Sequence, residues 1–379
     1  MATTRQSSAK SAAAPKRPLG KVLVIGGCGF LGHHIVELLQ RSYNASVSVI
    51  DLRTSSNRKD GVTYVDGDIT KLESLLPVFE QIRPDVVIHT ASPTLAGGSR
   101  ELYYKVNVEG TKCVIEACQK TGVKALVYTS SASVVSDNSS DLINADERWP
   151  VIRGKKQTEY YSETKAQAEA LAIAANRSAT APKLLTAAIR PATIFGPGDV
   201  QLIPNMLNVY YEGKTGFQLG ENTNLFDFTY VENVAHGHLL AALALLATTT
   251  LATPPLDHEK VDGEVFFVTN DSPVYFWDFA RALWAAAGSD KGTEHVWVIG
   301  QDNGLMLASA MEWVYWALRR TPKLTRRQVR YSSMTRYYDI TKAKQRLGYE
   351  PIVPLADGIE RSVKWFQELR LQEGQKKSQ

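Results

Sequence analysis

From Lys21 to about Arg190 short apolar runs recur along the chain with helical stretches between them. The runs are KVLVIGG, ASVSVID, GVTYVDGD, DVVIHTAS, KALVYTSS and LLTAAIRPA. Continuous β-branched runs of this length, separated by helices, predict strands of a parallel sheet buried on both faces. The fold class is therefore α/β, doubly wound. Beyond Pro191 the rhythm breaks, with Gly and Pro clusters at FGPGD and LATPPLDHE and a helix-rich region after Pro273. This predicts a doubly wound sheet domain over residues 20–195, with elements returning to it near 225–270. A smaller C-terminal cap is expected over 196–224 and 271–379. The run HLLAALALLATTTLAT from His238 is shorter than the ~20 residues of a membrane span and predicts a buried helix.

The first 19 residues, MATTRQSSAKSAAAPKRPL, are small, polar and basic. They lack the apolar segment of a secretory signal and the apolar face of a mitochondrial presequence, and predict a disordered arm. The 379 residues are 44% hydrophobic and 22% charged, enough for a sizeable core. A net charge of +4 without a basic block excludes nucleic acid as the main partner. Cys28, Cys113 and Cys118 form no C-x-x-C pair, which argues for a reducing compartment and against a zinc site; no metal is expected.

The first strand runs into a glycine turn and a helix, KVLVIGGCGFLGHHIVELLQ, with Gly26, Gly29 and Gly32 in G-x-x-G-x-x-G spacing. Such glycines let the backbone turn tightly, admit a pyrophosphate and pack the helix on the strand. Phe30 and Leu31 complete this phosphate-facing turn. Asp51 closes the second strand and suits the adenosine ribose hydroxyls, which favours NAD; Arg53 nearby keeps NADP open. Asp68 with Ile69, and Ala91 with Ser92, fall at the ends of the third and fourth strands, along the cofactor path. Asp68 reads equally well as a helix cap, and His89 as a core histidine.

In YYSETK, Tyr161 precedes Lys165 by one helical turn, so phenol and ammonium share a face. A cation there would lower the phenol pKa and fit the tyrosine as general base. Tyr160 points ~100° away. The fifth strand ends in Thr129, Ser130, Ser131 and Ser133, any of which could position a substrate hydroxyl.

These motifs, with HTASP, VNVEGT, RPATIFGPGD and YYDITKAKQRLGYEP, resemble the extended short-chain dehydrogenase/reductase superfamily and, within it, the 3β-hydroxysteroid dehydrogenase branch. The resemblance implies Tyr161 as base, Lys165 as its partner and Ser131 as hydroxyl donor, with Ser130 second. It further implies that Asn107 anchors an active-site water and that Pro191 and Ala192 pack near the nicotinamide. The likeness runs to branch members that oxidise the 3β-hydroxyl of a 4α-carboxysterol with loss of CO₂, in ergosterol-type sterol biosynthesis. Arg100, Lys105, Lys155 and Arg336 are then candidates to bind the substrate carboxylate. Leu305, Met306, Trp313, Val314, Trp316 and Leu318, ahead of Arg319, Arg320, Lys323, Arg326 and Arg327, suit docking on a membrane surface. That would place the protein peripherally on the cytoplasmic face of the endoplasmic reticulum, beside other sterol C4-demethylation enzymes; a homodimer could use the same apolar face. The competing readings are a nucleotide-sugar epimerase or dehydratase, a phenolic reductase, and a non-enzymatic NAD sensor.

Overall fold

The computed structural model describes residues 16–94, 98–322 and 324–377. Of the expected N-terminal arm, residues 1–15 lie outside the described residues, and Arg17–Leu19 already belong to the first strand. The chain opens with β1 (Arg17–Ile25), α1 (Phe30–Ser42), β2 (Tyr43–Asp51) and β3 (Thr63–Asp66). Next come α2 (Leu72–Ile82), β4 (Val86–His89) and the short α3 (Arg100–Tyr103), which runs through a π-helical turn, Tyr104–Gly110, into α4 (Thr111–Thr121). The first half ends with β5 (Ala125–Thr129), β6 (Leu142–Ala145), α5 (Tyr160–Ala174) and β7 (Leu185–Pro191). The second half begins with β8 (Thr193–Phe195), α6 (Leu202–Tyr211), β9 (Phe217–Leu219), β10 (Leu225–Phe226), β11 (Phe228–Tyr230), α7 (Val231–Thr248) and β12 (Glu264–Val268). It closes with β13 (Val274–Tyr275), α8 (Phe276–Ala286), β14 (Trp297–Ile299), α9 (Gln301–Ala317), α10 (Arg326–Ser333), β15 (Arg336–Tyr338), α11 (Thr341–Leu347) and α12 (Leu355–Lys377).

Seven strands form one parallel sheet in the order β12-β7-β5-β4-β1-β2-β3. Alternate residues of β1 serve opposite cores, as the two-residue period of a strand requires. Val22 and Val24 pack with the buried faces of α1 and α7, while Leu23 and Ile25 pack with those of α2 and α4. Burial on both faces is the reason these strands read as unbroken apolar runs. Strand order reverses between β1 and β4, and the connections leave in opposite directions there, which opens a crevice at the carboxyl ends.

Most of the apolar run from His238 lies in α7, which starts earlier, at Val231, ends at Thr248 and packs against α1, β5 and β7. It is long and apolar enough to cross a membrane by composition, but most of it is buried in the protein. The cap has its own aromatic core, where Phe228 and Phe279 stack with ring centroids 3.7 Å apart and Phe195, Phe226 and Phe276 pack around them. β6 and α11 cross the boundaries expected from sequence. β6 leaves the first domain to pair with β15 in a four-stranded sheet of order β13-β10-β15-β6. α11, expected in the cap, packs on α7 and β12, and its Ala343 and Leu347 join the main core. Both depend on pairing across long stretches of chain, for which no local pattern exists.

Candidate active site

The crevice has a volume of about 1550 Å³ and runs from the glycine turn to the cap. At one end Gly26 adopts φ +82°, and a Cβ there would meet the Ala91 backbone nitrogen at 2.7 Å, so only glycine suits this turn. A Cβ on Gly32 would stand 2.0 Å from the Gly26 carbonyl oxygen: α1 lies directly on the turn. Gly29 differs. It is exposed, and the sole contact its Cβ would make within 4 Å is the Gly26 oxygen at 3.2 Å. It is also the N-terminal cap of α1, with no side chain bonding the first amides. An open backbone cradle at a helix N-terminus fits a pyrophosphate, since free N–H groups and the helix dipole both favour an anion.

Asp51 lines the same end, its Oδ2 accepting from the Cys28 amide at 3.0 Å and its Oδ1 from the Leu52 amide at 2.8 Å. These bonds hold a carboxylate where ribose hydroxyls would arrive. Phe30, Leu31, Asp68, Ile69, Ala91, Ser92 and Pro191 also line the crevice, with Ala192 beside Pro191. Arg53 does not; it is exposed outside it. The alternative of Asp68 as a helix cap is not what forms. Its Oδ1 instead accepts from the Thr70 amide and hydroxyl at 3.0 and 2.8 Å, and α2 is capped at Lys71. His89 is a core residue, its Nε2 bonded to Thr111 Oγ1 at 3.1 Å, and burial pushes its pKa down to about 3.

α5 carries Tyr161 and Lys165 along the crevice. Its register is held by a buried fork in which Arg190 of β7 donates to both oxygens of Glu169 at 2.8 and 2.6 Å. Tyr161 and Lys165 both face the crevice, whereas Tyr160 lies outside it beneath the Arg100 guanidinium, 3.9 Å from the ring centroid. Lys165 is buried and its Nζ donates to the Thr129 carbonyl at 2.8 Å. The expectation that its charge lowers the Tyr161 pKa is not met by this geometry. Nζ stands 6.0 Å from the Tyr161 ring centroid, and burial pushes the phenol up to about 12. A hydrogen bond with Ser92 opposes that rise, and the neighbouring Tyr103 adds to it. Burial likewise pulls the Lys165 amine down to about 7, so near neutral pH it is only partly charged.

The serines after β5 divide their tasks. Ser131 Oγ bonds Ser133 Oγ at 2.8 Å, and Ser133 is bonded in turn by the Ser162 hydroxyl at 2.8 Å. Ser130 is buried in the crevice wall with a hydroxyl that has no partner among the described residues. Asn107 sits in the π-helical turn, a local widening that often marks a functional position. Its Nδ2 donates to Thr164 Oγ1 at 3.0 Å, and its buried Oδ1 is an acceptor left without a partner among the described residues. Sequence reasoning missed the bond between Ser92 and Tyr161, because two residues 69 positions apart share no local pattern. It also missed the cap's share of the wall, namely Met206, Trp277, Trp284, Tyr331 and Tyr338, whose aromatic richness was the one available signal.

Of the four cations named for a substrate carboxylate, Arg336 lines the crevice, while Arg100, Lys105 and Lys155 do not. The stretch with the exposed-helix signature is α9, on which Trp313 and Trp316 are 69% and 76% exposed, far too open for a core helix. Arg319, Arg320, Arg326 and Arg327 are exposed beside it, and Lys323 lies outside the described residues. Among the described residues no group of three or more His, Cys, Asp or Glu could hold a metal ion.

Residues 23–298 match the 3-beta hydroxysteroid dehydrogenase/isomerase family. The chain is 45% identical to the decarboxylating sterol-4-alpha-carboxylate 3-dehydrogenase of Schizosaccharomyces pombe, over 92% of this chain and 98% of that protein. It is 37% identical to the human protein of that description, over 92% and 88%. Among solved structures, the fold is that of a UDP-glucose 4-epimerase from Thermotoga maritima, with TM-score 0.67 at 21% identity, covering 92% of this chain and 99% of the other. The Thermus thermophilus UDP-glucose 4-epimerase in complex with NAD gives 0.65 at 22%, with 92% and 99% covered. With the family match spanning most of its length and close relatives aligned nearly end to end, the chain belongs to the 3-beta hydroxysteroid dehydrogenase/isomerase family.

Proposed function

We propose that the protein oxidises the 3β-hydroxyl of a 4α-carboxysterol to the 3-ketone with NAD and releases the C4 carboxyl as CO₂, in ergosterol-type sterol biosynthesis. The observation that carries the reading is end-to-end similarity to decarboxylating 3-dehydrogenases, in a chain whose crevice holds the tyrosine-lysine pair. NAD, when bound, supplies the hydride acceptor. The glycine turn and the α1 amides would hold its pyrophosphate, and the Asp51 carboxylate its ribose, where that charge disfavours a 2′-phosphate. Tyr161 Oη takes the proton of the 3β-hydroxyl as the C3 hydrogen leaves as hydride. Because burial raises the phenol, its ionised form needs help, which Ser92 supplies by hydrogen bond. Ser131 orients the substrate hydroxyl, and Asn107 offers its unpaired carbonyl to the proton path. The ketone so formed is a β-keto acid: its C4–carboxylate bond breaks, CO₂ departs, and the electron pair passes into an enolate that is then protonated at carbon. Making the ketone is sufficient chemistry.

The cap favours a sterol over a nucleotide sugar. Leu202, Met206, Trp277 and Trp284 line it, surfaces suited to a fused apolar ring system and poor for a diphosphate. We place the enzyme peripherally on the cytoplasmic face of the endoplasmic reticulum. α9 packs on α10, and Glu312, Leu324, Arg326, Arg327 and Arg330 of this hairpin also border the crevice, so an apolar exposed helix stands at its mouth. A sterol could pass there from lipid to the site, and other C4-demethylation enzymes could work beside it. The deciding experiment incubates the protein with NAD and a 4α-carboxysterol. NADH and CO₂ should appear in equal amounts, whereas turnover of a UDP-sugar without NADH release would replace this reading with an epimerase.

A further inference from the structure

One buried arginine in the crevice wall lacks an acid among the described residues. Arg336 opens β15, pairing with Leu142 of β6 on one side and Phe226 of β10 on the other, so its backbone is held between two strands. Its side chain is buried yet lines the crevice. Nε donates to Tyr338 Oη at 3.0 Å, and that oxygen lies 3.5 Å from the Ala132 carbonyl. Ala132 separates Ser131 from Ser133. The guanidinium therefore stands beside the serine turn, which α5 touches next to Tyr161 through the Ser162–Ser133 hydrogen bond.

The other arginines of the wall are accounted for. Arg326 pairs with Glu312, Arg327 with Glu159, and Arg330 is exposed to solvent. Arg336 makes no ion pair among the described residues, and the undescribed ones include no Asp or Glu. Asp227, which follows β10, accepts instead from the Tyr338 amide through its Oδ2 at 2.9 Å. Arginine does not shed its proton, and a buried charge without a counter-ion is costly. A planar fork held beside the serine turn matches a carboxylate in charge and geometry.

Building on the sterol reading above, we propose that Arg336 binds the C4 carboxylate of the substrate, fixing C3 against the serine turn and making a 4-carboxylated sterol the preferred substrate. Tyr338 acts as a positioning residue, orienting the guanidinium through Nε and leaving both Nη groups for the ligand.

The test compares kcat/KM for a 4α-carboxysterol and for the same 3β-hydroxysterol without the carboxyl, in wild-type, Arg336→Met and Arg336→Lys full-length protein. NAD titration and thermal melting run alongside. The Met variant should lose about 100-fold of the preference for the carboxylated sterol, because a buried charge partner is removed. The Lys variant should lose about 10-fold, keeping charge but not the fork. If the Met variant fails to fold, the Lys variant carries the test. A preference unchanged within a factor of two would overturn the assignment, as would an equal loss on both sterols. So would a parallel loss of NAD affinity, which would put the guanidinium on the cofactor. Wild-type protein inert toward both sterols would remove the substrate reading itself, an outcome distinct from active protein with indifferent variants.

Discussion

Two glycines three residues apart should respond oppositely to one added methyl group. At Gly32 the new Cβ would lie 2.0 Å from the Gly26 carbonyl oxygen and 2.7 Å from Gly27 Cα. Both are backbone atoms, so no side chain can swing aside and α1 must lift from β1. Overpacking costs about 1–3 kcal/mol even where side chains can adjust, and Gly32→Ala belongs at or above the top of that range. At Gly29 the backbone sits at φ −76°, ψ 175°, a conformation any residue adopts, and the methyl meets one atom at 3.2 Å. Alanine there also restricts the unfolded chain, a gain of about 0.4–1 kcal/mol that offsets the tight contact. Gly29→Ala should therefore keep wild-type stability within about 1 kcal/mol. It should nonetheless weaken NAD at least ~10-fold, about 1.4 kcal/mol, because the methyl occupies the open cradle over the α1 amides. Denaturant unfolding and NAD titration on both variants decide the matter. If Gly29→Ala unfolds as readily as Gly32→Ala, or binds NAD like wild type, the division into a packing glycine and a phosphate glycine is wrong.

Tyr161→Phe should reduce turnover roughly 10²- to 10⁴-fold with little change in NAD affinity, and retention of a tenth of the activity would remove Tyr161 as base. Lys165 titrates near 7 in the folded protein against an ordinary 10.5. Between those values the unfolded chain holds the extra proton, so this residue's contribution to stability rises with pH and is smallest below about 7. Melting wild type and Lys165→Met from about pH 7 to about pH 9 should show wild type gaining on the variant; parallel curves would mean that the amine is not depressed by burial. Asp51→Ser should weaken NAD and admit NADP, and wild-type protein that prefers NADP would show that the Asp51 carboxylate does not exclude a 2′-phosphate. The double variant Trp313→Ser, Trp316→Ser should fail to float with anionic vesicles that carry wild type. Failure of wild type as well would leave those side chains to a dimer contact.

Periodicity and spacing by themselves determined the parallel sheet, the glycine turn with Asp51, and the common face of Tyr161 and Lys165, because each is a relation between residues at most a few tens apart. An unbroken apolar run must be buried on both sides, and residues four apart on a helix must lie on one face, wherever the rest of the chain goes. What the tertiary structure alone decided are relations across long separations. Ser92 rather than a serine of the β5 turn bonds the Tyr161 phenol, and burial moves the Tyr161 and Lys165 pKa values in directions that a surface helix would not. The same holds for β6 pairing with β15, which brings Arg336 beside the serine turn from more than two hundred residues downstream. Local sequence specifies which face a side chain occupies, but the dielectric and the partners it meets come from whatever else folds against that face.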